Sequence, residues 1–206
     1  MEFLDVIKKR RSIRFYTSQS IDEGSVGKLI EAARWAPSGH RIYSRRIVVV
    51  QRGEVIERIK AVSPGLHGNP TALIILCRDK NRMEEVIHNW VPIGKESEDS
   101  LEMIPEGNIR EGYVRNDVEL LSIMDVAISA QNICLEATAL GVGSCMIGQF
   151  DRSAVRGLLD LPENVVPELL VSLGYPDKSA DARFQRSVPK LQMRRSVKDI
   201  LIAWIR

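Results

Sequence analysis

The sequence predicts an α+β domain built from a central sheet and one long, buried helix. Two short apolar runs rich in β-branched residues, Ile47-Val48-Val49-Val50 and Ala72-Leu73-Ile74-Ile75-Leu76, read as buried strands. Helical periodicity appears before, between and after them, which is the mixture an α+β domain requires. From Asn116 to Leu140, apolar residues (Leu120, Ile123, Met124, Ala127, Ile128, Ile133, Leu135, Ala139) nearly encircle a helical projection. A helix apolar on most sides belongs in the centre of a core or of a subunit interface.

In chain order, Glu2 to about Arg10 reads as a short helix with Phe3, Val6 and Ile7 on one side. Ser20-Ile21-Asp22-Glu23 has the spacing of a capping box and opens a second helix, where Val26, Leu29, Ile30 and Ala33 recur at helical spacing. Pro37 disfavours helical geometry at Ala36 and ends it. Glu54 to Val62 is helical in pattern between the two strands. Val91 to Arg115 is polar and interrupted by Pro92, Gly94, Pro105, Gly107 and Gly112, too long for an ordinary connection and expected to be a lid or partly disordered. Gly141 caps the long helix. There follow a strand from Ser144 to Ile147, a helix capped at Asp151, a strand from Glu168 to Leu173, and an amphipathic tail from Ser196 to Arg206. Neither an internal repeat nor a domain boundary interrupts residues 1–206, so a single domain is expected, with 91–115 as its variable segment.

The composition narrows the functional classes. A formal net charge of +2 over 206 residues argues against nucleic-acid or membrane binding by bulk electrostatics. Cys77, Cys134 and Cys145 lie in apolar stretches without Cys-x-x-Cys spacing, and His40, His67 and His88 are scattered, so neither a metal site nor a disulfide framework is expected. The N-terminus lacks the order of a secretory signal, and no uninterrupted apolar run reaches the roughly 20 residues that cross a bilayer. A cytoplasmic protein is the expectation.

Local arginine clusters carry more information than the total charge. Arg10-Arg11-Ser12-Ile13-Arg14 sets three guanidinium groups and a hydroxyl at a helix-to-loop junction. Arginine's planar fork matches phosphate oxygens and the hydroxyl adds a donor, although a solvated basic turn has the same composition. Arg194-Arg195 is a second such cluster. Pro37-Ser38-Gly39-His40 is small and polar enough to let backbone approach a flat ligand. Gly141 to Gly148 is glycine-rich but follows a helix and enters a strand, the wrong order for a dinucleotide-binding turn. No Ser-His-Asp order or paired-carboxylate pattern stands out, and Cys145 has no activating base nearby in sequence, so no catalytic side chain is assigned.

Five segments in this order resemble the FMN-dependent nitroreductase family: Arg10-Arg11-Ser12-Ile13-Arg14-Phe15, Ala32-Ala33-Arg34-Trp35-Ala36-Pro37-Ser38, Ala139 to Gly148, Leu173-Gly174-Tyr175-Pro176, and Arg194-Arg195 before a closing helix. The resemblance implies a mainly antiparallel central sheet surrounded by helices, in an intertwined homodimer with FMN at the interface. By position, Arg10, Ser12 and Arg194 would hold the phosphate, with Arg195 beside them and Arg11 along the ribityl chain. Arg14 would stand at the pyrimidine edge, where a cation favours the charge of the reduced ring. Pro37, Ser38, Gly39 and His40 would come from the partner subunit, and Ile147 and Gly148 would border flavin N5. The implied reaction is ping-pong hydride transfer from NADH or NADPH through N5 to a small electron acceptor such as a nitroaromatic or quinone. The family loop usually continues with an asparagine and then Gln-Pro-Trp, where this chain has Arg41-Ile42-Tyr43-Ser44-Arg45. That departure also admits a specialised member that modifies its flavin or dehalogenates an aromatic. A non-enzymatic phosphate- or nucleic-acid-binding module is the alternative from a different class, opposed by the small net charge.

Overall fold

The computed structural model describes residues 2–93 and 108–187. In chain order the elements are α1 (Phe3–Lys9), α2 (Glu23–Arg34), a one-turn 3-10 helix (Gly39–Arg41), β1 (Arg45–Val50), α3 (Gly53–Ala61), β2 (Ala72–Asp79) and α4 (Lys80–Ile93). They continue with α5 (Asn108–Ala139), β3 (Gly143–Ile147), α6 (Arg152–Leu158), β4 (Val165–Gly174) and α7 (Lys178–Ser187). The strands form one sheet in the order β1-β2-β4-β3, and every pair is antiparallel. The α+β class and the antiparallel sheet around a long helix are those expected.

The apolar run in β2 has no alternation because both of its faces are covered. Ala72, Ile74 and Leu76 point into a core shared with α2 and α5. Leu73, Ile75 and Cys77 point the other way, into a core closed by α3 and α6. All six are fully buried, and each large aliphatic side chain among them contributes roughly 1.5–3 kcal/mol on leaving water. A third, smaller core joins Ile42, Met83, Val86 and Ile87 to Val118 of α5.

Helix α5 begins eight residues before the expected Asn116, at Asn108, and α4 extends to Ile93, so both ends of the polar 91–115 segment are helical. Residues 94–107 of that segment lie outside the described residues. The early turns of α5 were hidden because Gly107 and Gly112 read as breakers in a polar stretch. Its C-terminus is a Schellman cap: Gly141 has φ +73°, its N–H donates to Thr138 O, and Val142 N–H donates to Ala137 O. By length and composition Val114–Ala139 could cross a membrane. Here Val126, Ala130, Ile133, Cys134 and Ala137 pack into the sheet core, while Leu120, Ile123 and Met124 remain exposed on the single chain.

The capping box predicted at Ser20 to Glu23 does not form. Asp22 is the N-cap, accepting from Ser25 N at 2.8 Å and Ser25 Oγ at 2.7 Å. A carboxylate at that position satisfies the free amide more strongly than serine, and buried Ile21 fixes the entry of the chain. Two helices, α4 and α7, have no counterpart in the sequence-based expectations. The signal for α7 was Asp177, whose carboxylate accepts from Ser179 N and Ala180 N at 3.0 Å each.

At the β2–α4 junction, Asp79 accepts from Asn164 Nδ2 at 2.8 Å and Asn81 N at 3.1 Å and pairs with Arg46 at 2.7 Å. Burial works to raise its carboxyl, but these donors and the Arg46 charge outweigh it and hold the group below its ordinary value. Because the folded value is depressed, the stabilisation is present above the unfolded carboxyl pKa, about 3.9, and is lost as pH falls through the folded value. Asp79→Asn should therefore cost about 1–3 kcal/mol at pH 7 and flatten the acid limb of a urea-midpoint profile. An unchanged acid limb would rule this contribution out.

Candidate active site

The Arg10–Arg14 segment is laid along the edge of β3. Ser12 bridges Ser144, Ile13 N donates to Ser144 O at 2.9 Å, and Tyr16 bridges Pro176 just after β4. The buried Tyr16 hydroxyl shares a 2.8 Å hydrogen bond with Ser172 Oγ, pinning the segment to the sheet. Arg14 N donates to the nearly buried Asp181 of α7 at 2.9 Å. The Arg14 guanidinium donates to Ser12 O and stands over the Phe184 ring, 5.5 Å from its centroid.

Among the described residues, Arg10 and Arg11 have no carboxylate partner within ion-pair distance. At Arg11 opens a cleft of about 430 Å³, lined by Arg11, Ser12 and Ile13 on one side and by Pro176, Lys178 and Asp181 on the other. This size suits a small-molecule site, and Lys178 adds a cation that sequence reasoning missed. The Cys145 thiol also lies in this region. Burial pushes it above its ordinary value, and the nearby charges of Arg14 and Arg10 only partly oppose that, so it stays a neutral thiol rather than a nucleophile.

Ile147 is buried at the end of β3, whereas Gly148 is exposed with open space where a side chain would project. The loop after α3 supports this corner: Gly65 N donates to Gln149 O at 3.2 Å, and Gly68 packs directly on the Arg14 carbonyl. This loop was not singled out from the sequence because its role depends on a fold contact with residues more than fifty positions earlier in the chain.

The Pro37–His40 loop lies elsewhere. It docks on α5, where Gly39 N donates to Asp125 and would meet Leu121 if it carried a Cβ. Among the described residues no hydrogen bond or ion pair joins this loop to Arg10–Arg14. The loop leads into β1 at one edge of the sheet, whereas Arg10–Arg14 is laid along β3 at the other edge, three strand spacings or about 14 Å away. Within one chain the expected site is therefore in two parts. Arg194 and Arg195, the remaining expected phosphate contacts, and the closing helix Ser196 to Arg206 lie outside the described residues.

The stretch Arg41 to Arg45, which departs in sequence from the family's loop, leads into β1. Arg41 and Tyr43 both adopt left-handed backbone, with φ 57° and 48°, and Ile42 between them is fully buried. Arg45 ties this loop to the end of α2 by donating to Ala36 O at 2.7 Å and Arg34 O at 3.2 Å. Trp35 and Tyr43 stand exposed beside a second cleft of about 550 Å³.

An antiparallel sheet covered by helices, with a cleft lined by Arg11 and Lys178 at its edge, suits a small-molecule site. The nitroreductase family model matches residues 7–175, and the chain belongs to that family; it is an oxidoreductase. A protein of Methanothermobacter thermautotrophicus named putative NADH dehydrogenase/NAD(P)H nitroreductase is 30% identical over 190 residues, covering 89% of this chain and 82% of that one. An NADPH-dependent oxidoreductase of Staphylococcus aureus is 24% identical over 90% of this chain and 69% of its own length. The crystal structure of a nitroreductase family protein from Streptococcus pneumoniae superposes with a TM-score of 0.72 at 25% identity, covering 98% of this chain and all of that one.

Proposed function

We propose that this chain, as a single domain in a cytoplasmic homodimer, binds FMN and uses it for NAD(P)H-dependent reduction of a small electron acceptor. The observation that carries the reading is the pair of adjacent guanidinium groups, Arg10 and Arg11, without a carboxylate partner among the described residues, the second of them lining a cleft with Ser12 and Lys178. Cations left without counter-charge at a cleft edge fit a phosphate, and the donor set suits that anion. Arg10 and Ser12 then hold the phosphate with Arg194, Arg195 adds to it, and Arg11 runs along the ribityl chain. Arg14, whose guanidinium meets a carbonyl and a ring, brings a cation to the pyrimidine edge. At Gly148 the exposed backbone, with no side chain in the way, leaves room for a flat ring beside Ile147.

Bound FMN would supply the redox chemistry, taking a hydride from NADH or NADPH and delivering it to a nitroaromatic or quinone in alternating half-reactions. The chain contributes binding, orientation and charge; no side chain is assigned as a dedicated acid or base. Exposed Phe3, Leu4, Trp35, Leu120, Ile123 and Met124 support a homodimer, since apolar side chains grouped on α1, α2 and α5 mark an interaction surface. In that dimer Pro37, Ser38, Gly39 and His40 of one subunit complete the flavin site of the other, which accounts for a site in two parts.

Purified protein should be yellow and should bleach with NADH or NADPH without oxygen. Colourless protein that takes up no added FMN would sink the reading. The left-handed loop at Arg41 and Tyr43 favours a second reading, a specialised member that modifies its flavin or dehalogenates an aromatic. Sustained NAD(P)H turnover with quinones or nitroaromatics, with the flavin recovered intact, would decide against it.

A further inference from the structure

Asp125 is 2% exposed, in the middle of α5, and every hydrogen bond to its carboxylate among the described residues comes from the Ser38–Gly39 loop. Oδ1 accepts from Gly39 N at 3.0 Å, and Oδ2 accepts from the Ser38 hydroxyl. The same hydroxyl oxygen accepts from Tyr43 N at 2.9 Å. A serine has one proton to give, and here it goes to Asp125. Leu121, one turn earlier on α5, lies under Gly39, where an added Cβ would come within 2.8 Å of its side chain. Asn132, seven residues beyond Asp125 and so on the same helix face, donates to Ala32 O at 3.1 Å and holds the end of α2. One stripe of α5 therefore lashes down the segment from Ala32 to Tyr43.

We propose that Asp125 is a positioning residue for the flavin site: its carboxylate latches the Ser38–Gly39–Tyr43 loop in the shape that it presents to the partner subunit. The proposal rests on the flavin reading above and sharpens it, because Ser38 then serves as a strut and meets the flavin through backbone rather than by donating its hydroxyl proton. Removing a buried carboxylate that two loop donors share leaves both without a partner, and the loop loses its defined geometry.

The test uses the full-length protein and three variants. Asp125→Asn keeps the volume and an acceptor for Gly39 N but offers Ser38 no carboxylate; Asp125→Leu removes both acceptors; Ser38→Ala removes the strut and leaves the core untouched should Asp125→Leu fail to fold. In the flavin-free parent, amide exchange at Gly39 and Tyr43 should be slow, and it should be tenfold or more faster at Gly39 in Asp125→Leu and at Tyr43 in Ser38→Ala. FMN Kd should rise about tenfold in Asp125→Asn, with a shifted flavin absorption band and a raised KM for quinone, neither of which a merely structural role would move. Asp125→Asn combined with Ser38→Ala should be no worse than the worse single variant, since both break one bond. A parent that binds FMN with all variants within twofold of it in Kd and spectrum would overturn the latch alone. A parent with protected amides that takes up no FMN would overturn the flavin reading and the positioning role with it.

Discussion

Gly68→Ala should destabilise the protein by about 3–5 kcal/mol, adding the cost of a left-handed non-glycine residue to that of forcing extra volume into a packed site. Gly68 has φ +64°, and a Cβ there would fall 2.1 Å from the Arg14 carbonyl oxygen and 3.1 Å from Phe15 Cα. The obstacle is backbone, so it cannot rotate aside. Moving it means disturbing the Ile13–Ser144 hydrogen bond at 2.9 Å, the Arg14–Asp181 hydrogen bond at 2.9 Å and the Tyr16–Pro176 bridge. Urea denaturation reads the loss, and Gly27→Ala is the matched control. Gly27 sits inside α2 with open space where its Cβ would be, so alanine there should add roughly 0.5–1 kcal/mol. Equal midpoints for the two variants would show that the contact at Gly68 is not what holds the segment. Since Gly68 abuts Arg14, the same variant should also lose FMN.

Arg10→Ala should weaken FMN binding about 10- to 150-fold, the equivalent of a charge-assisted contact worth roughly 1.5–3 kcal/mol. The effect should be large because no carboxylate among the described residues pairs with Arg10, so its charge is not already satisfied within the chain. Arg194→Ala should act in the same direction. Arg34→Ala is the control: its guanidinium is exposed and bonded to Glu31, and its loss should leave FMN retention unchanged. Flavin absorbance after dialysis measures all three. If Arg10→Ala and Arg194→Ala both kept FMN as tightly as the parent, the phosphate assignment would be wrong.

The legible parts of the fold are those in which a local pattern has one physical solution. The run Ala72 to Leu76 is apolar at every position, so it had to lie between two covered faces, and it does. Gly141 after a long apolar helix had one economical use, a left-handed cap. The capping error at Ser20 is a shift of two residues: Asp22 is the cap, and Ile21 just before it is buried in the core. Helix α4 carries a short helical repeat of its own in Met83, Val86 and Ile87, but the partners that bury that face, Ile42 and Val118, are remote in sequence.

The site divides along the same line. The arginine-rich turn, the Pro37 loop and the Ile147–Gly148 corner announced themselves by composition and family resemblance, since each is a contiguous motif. Asp125, Lys178 and Gly68 did not, because each is ordinary in its own neighbourhood and acquires a role only from what the fold sets against it. Sequence by itself determined the class of domain, the strands and long helix at its centre, and the family to which the motifs belong, all of which follow from short-range periodicity and residue chemistry. Tertiary structure alone decided that Arg10 and Arg11 lack a carboxylate partner among the described residues and that Ser38 spends its proton on Asp125. It also decided that the two halves of the site stand apart in one chain, for distance between remote segments is a property of packing and not of order along the backbone.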